Sequence, residues 1–470
     1  MEEHCLQLLL SGGYGDSPPD FFNGCLDAPS IEAVTGAMTR LETVGALIYS
    51  IGSSLAGGSE KSESKQQQQQ QQQRRVGGAS DDGWDVPVFS AAAIAEADRL
   101  HRVGDGGGGG DGGDGGGAGR GGRGGRGRQQ ELSGPASLTP LGRLLAQLPV
   151  DVRVGKMLIF GAILQAIEPV ATAAACASHR SPFSSPPGRR QEANAAHVKF
   201  KWGDSDLLSA VKAFDEWTVI CEAKGRTGNG QRGGVQAARM FCRRNFLNHD
   251  CLSQIGTIRR ELLSMMNRLG FTRNKGNTAF GGGRDGGGGG GGGGGGKRKE
   301  APDDVIKAAI VAGLGGAGHI ASVQMTSMGG KRTVELKGGE AVKIHPGSVV
   351  SSSSASGTRY LWLTFLEKVK TSQVFLRTAT LCRPEALILF APSVVVHHQE
   401  RRVCADNWID VRAAPRTGVV FKHVREAFNG LLERKILDPS LDLETEAAPV
   451  AEAVALLLTA AARAEVERGL

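Results

Sequence analysis

Residues 305–322 read VIKAAIVAGLGGAGHIAS, and three glycines within them decide what kind of fold surrounds them. Gly313, Gly315 and Gly318 have the G-x-G-x-x-G spacing of a dinucleotide-binding turn. Such a turn leads from a strand into a helix, and an acidic residue closes the next strand. The flanks here run in the opposite order. DDVIKAAIVAGL, from Asp303, reads as a helix with acidic residues in its first turn, and IASVQM, from Ile320, reads as a strand. The glycines then mark a helix end and a flexible turn, and no nicotinamide or flavin site is expected.

Downstream the apolar period is that of strands. IASVQM, KRTVEL, AVKIH, YLWLTFLEK, SQVFLR and EALILFA are short, apolar and rich in branched or aromatic residues, with KGGE as a turn. Five or so such strands predict a small barrel. WIDVRAAPRTGVVFKHVREAFNGLLERKI then ends in a helix whose apolar face is Val420, Val424, Phe428, Leu431 and Leu432.

Upstream the chain reads as helices. In LTPLGRLLAQLP, Thr139 is a suitable N-cap, Pro140 a first-turn residue, and Leu141, Leu144, Leu145 and Leu148 the buried stripe. A helix from Val152 towards Ala166 and another in QEANAAHVKF follow, separated by the loop SPFSSPPGRR. SDLLSAVKAFDEW places Leu207, Leu208, Val211 and Phe214 on one face, and DCLSQIGTIRRELLSMMNRLGF does so with Leu252, Ile255, Ile258, Leu262 and Met266. Short connections predict a bundle. Nearer the start, a helix following Pro29 presents Ile31, Val34, Met38 and Leu41.

Between these pieces composition changes abruptly. Residues 66–73 are all Gln, 106–128 almost wholly Gly, Asp and Arg, and 286–296 all Gly. Such tracts carry no apolar surface to offset the entropy of ordering them and are expected to be disordered. The foldable pieces are 1–57, 131–271 and 302–440, with 58–130 as a low-complexity insert, 272–301 as a Gly-rich linker and 441–470 as an Ala/Glu-rich tail. Within the last piece, 302–400 is the barrel and 401–440 a helical extension. The fold expected is multidomain α plus β: a helical bundle followed by a small oligonucleotide-binding (OB)-like β-barrel, with long disordered inserts.

The eight cysteines form no C-x-x-C pair and have no matching histidine spacing, so neither a zinc site nor a disulfide framework is expected. The chain opens with no secretory signal, and charged or amide residues interrupt its most apolar segments, near Met157 and Ala451, short of membrane-spanning length. A soluble intracellular protein of cytoplasm or nucleus is the expectation, with no membrane partner.

No catalytic centre is legible. GGKRT at 329–333 has Arg332 where a phosphate loop needs Ser or Thr, and Met325 stands in place of its first glycine. His397 and His398 are neighbours on a strand and point to opposite faces. The remaining signal is basic, in keeping with a net charge of +7. Arg239, Arg243 and Arg244 share one helical region, Arg259 and Arg260 another; phosphate contact and a solvated helix face are both open readings. In the barrel, KIHPGSV and EKVKTSQVFLR bring His345, Lys368, Lys370, Thr371, Ser372 and Arg377 near turns, where a barrel binding a single strand needs cations and hydroxyls. The run GRGGRGGRGR lacks interleaved aromatics and serves equally as a loose RNA binder or a solvated linker.

Six separated stretches occur in a familiar order: LTPLGRLLAQLPVDVRVGKMLIFGAI, SPF, FCRRNFLN, KIHPGSV, EKVKTSQVFLR and APRTGVVFKHVREAF. Together they resemble the C-terminal half of DEAH/RHA-type (DExH-box) ATP-dependent RNA helicases. The resemblance implies a winged-helix remnant at 1–57, a helicase-associated "ratchet" bundle at 131–271 and an OB-fold at 302–400. It implies RNA contacts from Arg243, Arg244, Asn245 and Arg259 in the ratchet and from His345, Lys370, Thr371 and Ser372 in the barrel. It also implies RecA-like motor lobes as partners in cis, ribosomal or other ribonucleoprotein partners, and ATP and Mg²⁺ bound by those lobes. Their phosphate loop, DEAH box and arginine-finger motif do not occur in the 470 residues, so the chain alone is expected to lack ATPase activity, and no cofactor is expected within it. A free-standing RNA-binding or adaptor protein without a motor is the alternative.

Overall fold

A computed structural model describes residues 1–11, 17–49, 83–84, 136–222, 232–272, 301–315, 318–325, 332–351, 362–371, 373–413 and 415–467. They divide into two units: 1–49 with 136–144, and 83–84 with 145–467. The insert at 58–130 (apart from Gly83 and Trp84) and the linker at 273–300 lie outside the described residues. The disorder expected of both therefore has no structural counterpart to set beside it.

The first unit contains α1 (Glu2–Ser11), α2 (Pro18–Asn23), α3 (Ile31–Val44) and the antiparallel strands β1 (Leu47–Tyr49) and β3 (Ala136–Leu138). Ser30 caps α3 by accepting from Ala33 N, and Gly45 at φ 82° ends it. Val34, Ala37, Met38, Leu41 and Val44 are its buried side; Ile31, expected on that face, is exposed. Thr139 caps α4 (Pro140–Ala146) as expected, its Oγ1 accepting from Gly142 N at 3.0 Å, but the hydroxyl also donates to Gly45 O at 2.7 Å. A Cβ on Gly142 would sit 2.1 Å from Ala46 O, so only glycine allows this approach. Residues 136–144 thus belong with the N-terminal helices, and the boundary expected at 131 falls instead at Leu144. Nothing local signals it, because β3 becomes a strand only by pairing with β1, about ninety residues earlier.

In the second unit, α5 (Val152–Ile163) is buried nearly all round, and Asp151 starts it by accepting from Arg153 N at 2.9 Å. Around it lie α6 (Ile167–Ala177), α7 (Arg190–His197), α8 (Asp206–Glu222), α9 (Arg232–Arg244) and α10 (His249–Arg268). The glycine-spaced segment follows. Its first part is α11 (Asp303–Leu314), which packs along α5. A Cβ on Gly313 would lie 2.6 Å from both Arg153 O and the Met157 Cβ, so this glycine serves close helix packing. Gly315 ends the helix, and Gly318 at φ 94° turns the chain into a strand.

That strand opens a closed five-stranded barrel of β4 (Ile320–Met325), β5 (Arg332–Leu336), β6 (Ala341–Ile344), β7 (Trp362–Lys370) and β8 (Val374–Cys382), in the order β4-β5-β6-β8-β7. Only β6 and β8 run parallel. Val323, Val334, Val342, Leu363, Phe365, Leu376 and Leu381 fill the interior.

Two expectations need correction. EALILFA is helical: α12 (Pro384–Phe390) begins at a proline and buries Ala386, Leu387, Ile388 and Leu389 in succession. Such a run is short enough to pass for a buried strand. β9 (Val394–His397), β10 (Arg402–Ala405) and β11 (Ile409–Arg412) form one sheet with β2 (Gly83–Trp84). The tail is structured too. After α13 (Pro415–Leu437) and α14 (Leu443–Glu446), α15 (Ala448–Glu467) buries Ala451, Val454 and Leu458 and packs against α11 and α13.

Among the described residues no helix is long and apolar enough to cross a membrane. Arg332 and Thr333 of the rejected phosphate-loop match open β5, a strand where such a loop needs a helix.

Candidate nucleic-acid interface

Two of the recognised motifs meet in the bundle. Ser184 N donates to Phe246 O at 2.9 Å, Asn248 N to Pro182 O at 2.9 Å, and Phe183 bridges Leu247. The SPF loop is thereby tied to the turn after α9. Arg243 and Arg244 stand exposed in the last turn of α9, where cations favour the helix dipole. Asn245 donates its Nδ2 to Phe241 O at 2.7 Å, so its amide closes the helix end. Phe246, at φ 52°, carries the Arg189 guanidinium 4.8 Å from its ring centroid, and His197 Nε2 lies 3.1 Å from its carbonyl. Lys199 sits over both Phe200, at 4.4 Å, and Phe241, at 4.6 Å. Arg259, by contrast, is turned into the bundle: its Nε donates to Thr172 Oγ1 at 2.9 Å and its Nη2 to Glu168.

The barrel candidates separate into two groups. Lys370 and Thr371 lie at the exposed tip of the β7–β8 hairpin, where Thr371 N and Oγ1 both reach Gln373 O, at 2.9 and 3.3 Å. Ser372 lies outside the described residues. Lys368 is paired with Glu340 at 2.6 Å. His345 and Arg377 are together a few residues along β8 from that tip, because His345 N donates to Leu376 O at 3.0 Å. Gly347 N donates to His345 Nδ1 at 3.1 Å, which leaves Nε2 to carry the proton of the neutral ring. Burial first, then the charges of Arg377 and Arg190, hold the His345 pKa below the usual histidine value. The charge of Arg190, the first residue of α7, thus bears on His345 from the bundle, which the sequence pattern does not reveal. Its only local signal is the pair of arginines closing SPFSSPPGRR.

A buried carboxylate underlies this group. Asp206, the first residue of α8, accepts from Ser348 Oγ at 2.9 and 2.8 Å, from Val349 N at 2.8 Å through Oδ1, and from Ala379 N at 2.9 Å through Oδ2. Burial raises its pKa, and these hydrogen bonds oppose the rise. Beside it Ser205 Oγ is 2.7 Å from Thr380 Oγ1, and Leu381 N donates to Asp204 O at 3.0 Å. In the bundle, Arg189 and Lys199 thus cover the rings of Phe246, Phe200 and Phe241, and exposed Arg243 and Arg244 precede Phe246 in the chain.

Comparison with known proteins agrees in order and extent. Residues 151–215 match the helicase associated domain (HA2), ratchet-like; 306–394 match the oligonucleotide/oligosaccharide-binding (OB)-fold; and 401–460 match the C-terminal domain in RNA helicases. The human ATP-dependent RNA helicase DHX29 is 35% identical over 319 residues, which cover 67% of this chain and 22% of the relative. The Arabidopsis thaliana DExH-box ATP-dependent RNA helicase DExH1 is 31% identical over 331 residues, 70% of this chain and 30% of the relative. A human protein named putative ATP-dependent RNA helicase DHX57 is 32% identical over 340 residues, covering 66% and 23%. The matched part is thus under a third of each relative's length. With its ratchet-like, OB-fold and C-terminal domains in sequence, the chain corresponds to the C-terminal region of a DExH-box RNA helicase.

Proposed function

We propose that this region holds single-stranded RNA, with the ratchet bundle and the barrel as two walls of the path and RecA-like lobes in cis as the motor that moves it. The observation that carries the reading is the pairing of the His345 loop with the Arg377 stretch of β8 through His345 N and Leu376 O, with the charge of Arg190, from the bundle, bearing on His345. Cations of bundle and barrel acting on one ring suit a phosphate backbone crossing between them. Exposed Arg243, Arg244 and Lys370 extend the same charge along the bundle and the hairpin tip. In this reading Arg259 and Lys368, both ion-paired, shape the surface and do not reach the strand. The first unit, three helices with a two-stranded antiparallel sheet, serves as the winged helix. ATP and Mg²⁺ act only at the motor lobes.

The test is binding of a labelled oligouridine to the chain over a salt titration. Replacing Lys370 and Arg377 together with alanine is expected to weaken binding. It should also reduce the slope of log Kobs against log salt by roughly 1.4, about 0.7 for each single-strand phosphate left without its cation. An unchanged slope would reject these two residues as phosphate partners. RNA binding without RNA-stimulated ATP hydrolysis is expected of the chain alone.

A further inference from the structure

Asp206 is bonded to the barrel at two places that the sequence keeps thirty residues apart. Through Oδ1 it accepts from Val349 N, in the loop that follows β6; through Oδ2 it accepts from Ala379 N, on β8; Ser348 Oγ lies within 2.9 Å of both oxygens. The loop it grips is the one that carries His345. Within that loop Ser348 N donates to His345 O at 2.9 Å and Val350 N to Ser348 Oγ at 3.2 Å. On β8 the bond falls one residue past Thr378, which has φ 55° although it is not glycine, and two residues past Arg377. A left-handed threonine is strained and persists only where its surroundings fix it. The neighbouring bonds of Ser205 and Asp204 to Thr380 and Leu381 hold the same stretch from the same side.

We infer that Asp206 is a positioning residue, a carboxylate of the ratchet bundle that sets the spacing of His345 and Arg377 for the RNA strand. The inference rests on the proposed RNA path. Both carboxylate oxygens face a backbone N–H, which cannot be turned round. Asparagine offers one oxygen acceptor, so Asp206→Asn must point its own NH₂ at either Val349 or Ala379. One arm of the clamp then fails while side-chain volume is kept.

The experiment is a double-mutant cycle on the full chain with a labelled oligouridine, together with amide exchange of the RNA-free protein. Asp206→Asn is expected to weaken binding by about tenfold and to speed exchange at Val349 or Ala379. Added to Arg377→Ala it should cost less than it does alone, because one of the two groups it places is gone. Added to Lys370→Ala, at the hairpin tip three residues along β7 from the partner of Arg377, about 10 Å away, the two losses should multiply. Ser348→Ala, which removes only the hydroxyl, should follow the same pattern at smaller size and decides the matter if Asp206→Asn does not fold. Losses that multiply with Arg377→Ala as they do with Lys370→Ala would overturn the positioning role, as would faster exchange with unchanged affinity. If the unsubstituted chain binds no RNA, the proposed function falls, and this role with it.

Discussion

Arg259 and Thr172 are joined by a 2.9 Å hydrogen bond from the guanidinium Nε to the hydroxyl, and Glu168, one turn earlier on α6, takes the same guanidinium at Nη2. The arginine is only 25% exposed and couples α10 to α6. Arg259→Ala should therefore lower stability by about 1–2 kcal/mol, typical of removing hydrogen bonds to charged groups. RNA affinity should change less than twofold. Urea denaturation and oligouridine binding check the two halves; a large affinity loss at unchanged stability would return Arg259 to the RNA surface.

Gly313 separates the two readings of the glycine-spaced segment. If it serves packing, Gly313→Ala must push a methyl group into Arg153 O and Met157, each 2.6 Å from the added Cβ. The expected cost is about 1–3 kcal/mol, as for other overpacked cores. Alanine at Gly339 is the control: its Cβ would meet nothing within 4 Å, so its cost comes from the φ of 82° alone. A Gly313→Ala chain as stable as the original would undo the packing account.

The bundle helices were legible because their apolar residues recur at helical spacing: Leu207, Leu208, Val211 and Phe214 are all buried. The face of α13 was legible only towards its C-terminal end. Of the expected Val420, Val424, Phe428, Leu431 and Leu432, the last three are buried and Val420 is exposed, and Phe421, Arg425 and Lys435 are buried with them. Two cations sit within that stripe. Arg425 donates to Ile388 O at 2.6 Å, Leu389 O at 3.0 Å and Ala391 O at 2.9 Å, closing the end of α12; Lys435 donates to Pro439 O and Leu441 O. No pattern in α13 announces carbonyls supplied by α12 and its end. The interface divides in the same way. Exposed arginines and turn lysines are visible in sequence, but Arg190 and Asp206 acquire their roles from groups more than a hundred residues away.

His345 gives the interface a pH dependence of definite sign. Burial and two arginine charges depress its pKa, so the ring is neutral at pH 7 and gains charge only as pH falls below the usual histidine range. An RNA phosphate favours the charged ring and draws the pKa back up. Oligouridine affinity should therefore rise on acidification, by at most about tenfold per pH unit for a single proton. His345→Gln should flatten that rise. Parallel profiles for the two proteins would remove His345 from the RNA-binding surface.

Lys156 makes the opposite end of the pH scale informative. It is buried on α5, and burial pushes its pKa down to about 8, with Arg425 assisting and Asp406 opposing. In the unfolded chain a lysine holds its proton to about 10.4. Between those values the unfolded state binds more protons than the folded one, so raising the pH favours folding through this residue. The buried cysteine thiols act in the other sense, since burial raises Cys382 and Cys242 to about 12 and folding then holds protons that the unfolded chain releases. The comparison that isolates the lysine is Lys156→Met, which keeps the thiols and the apolar volume. Urea unfolding at pH 7.5, 8.5 and 9.5 should show the original chain gaining on Lys156→Met, by up to about 1.4 kcal/mol per pH unit. Curves that stay parallel would mean that Lys156 holds its proton throughout, with Asp406 outweighing burial.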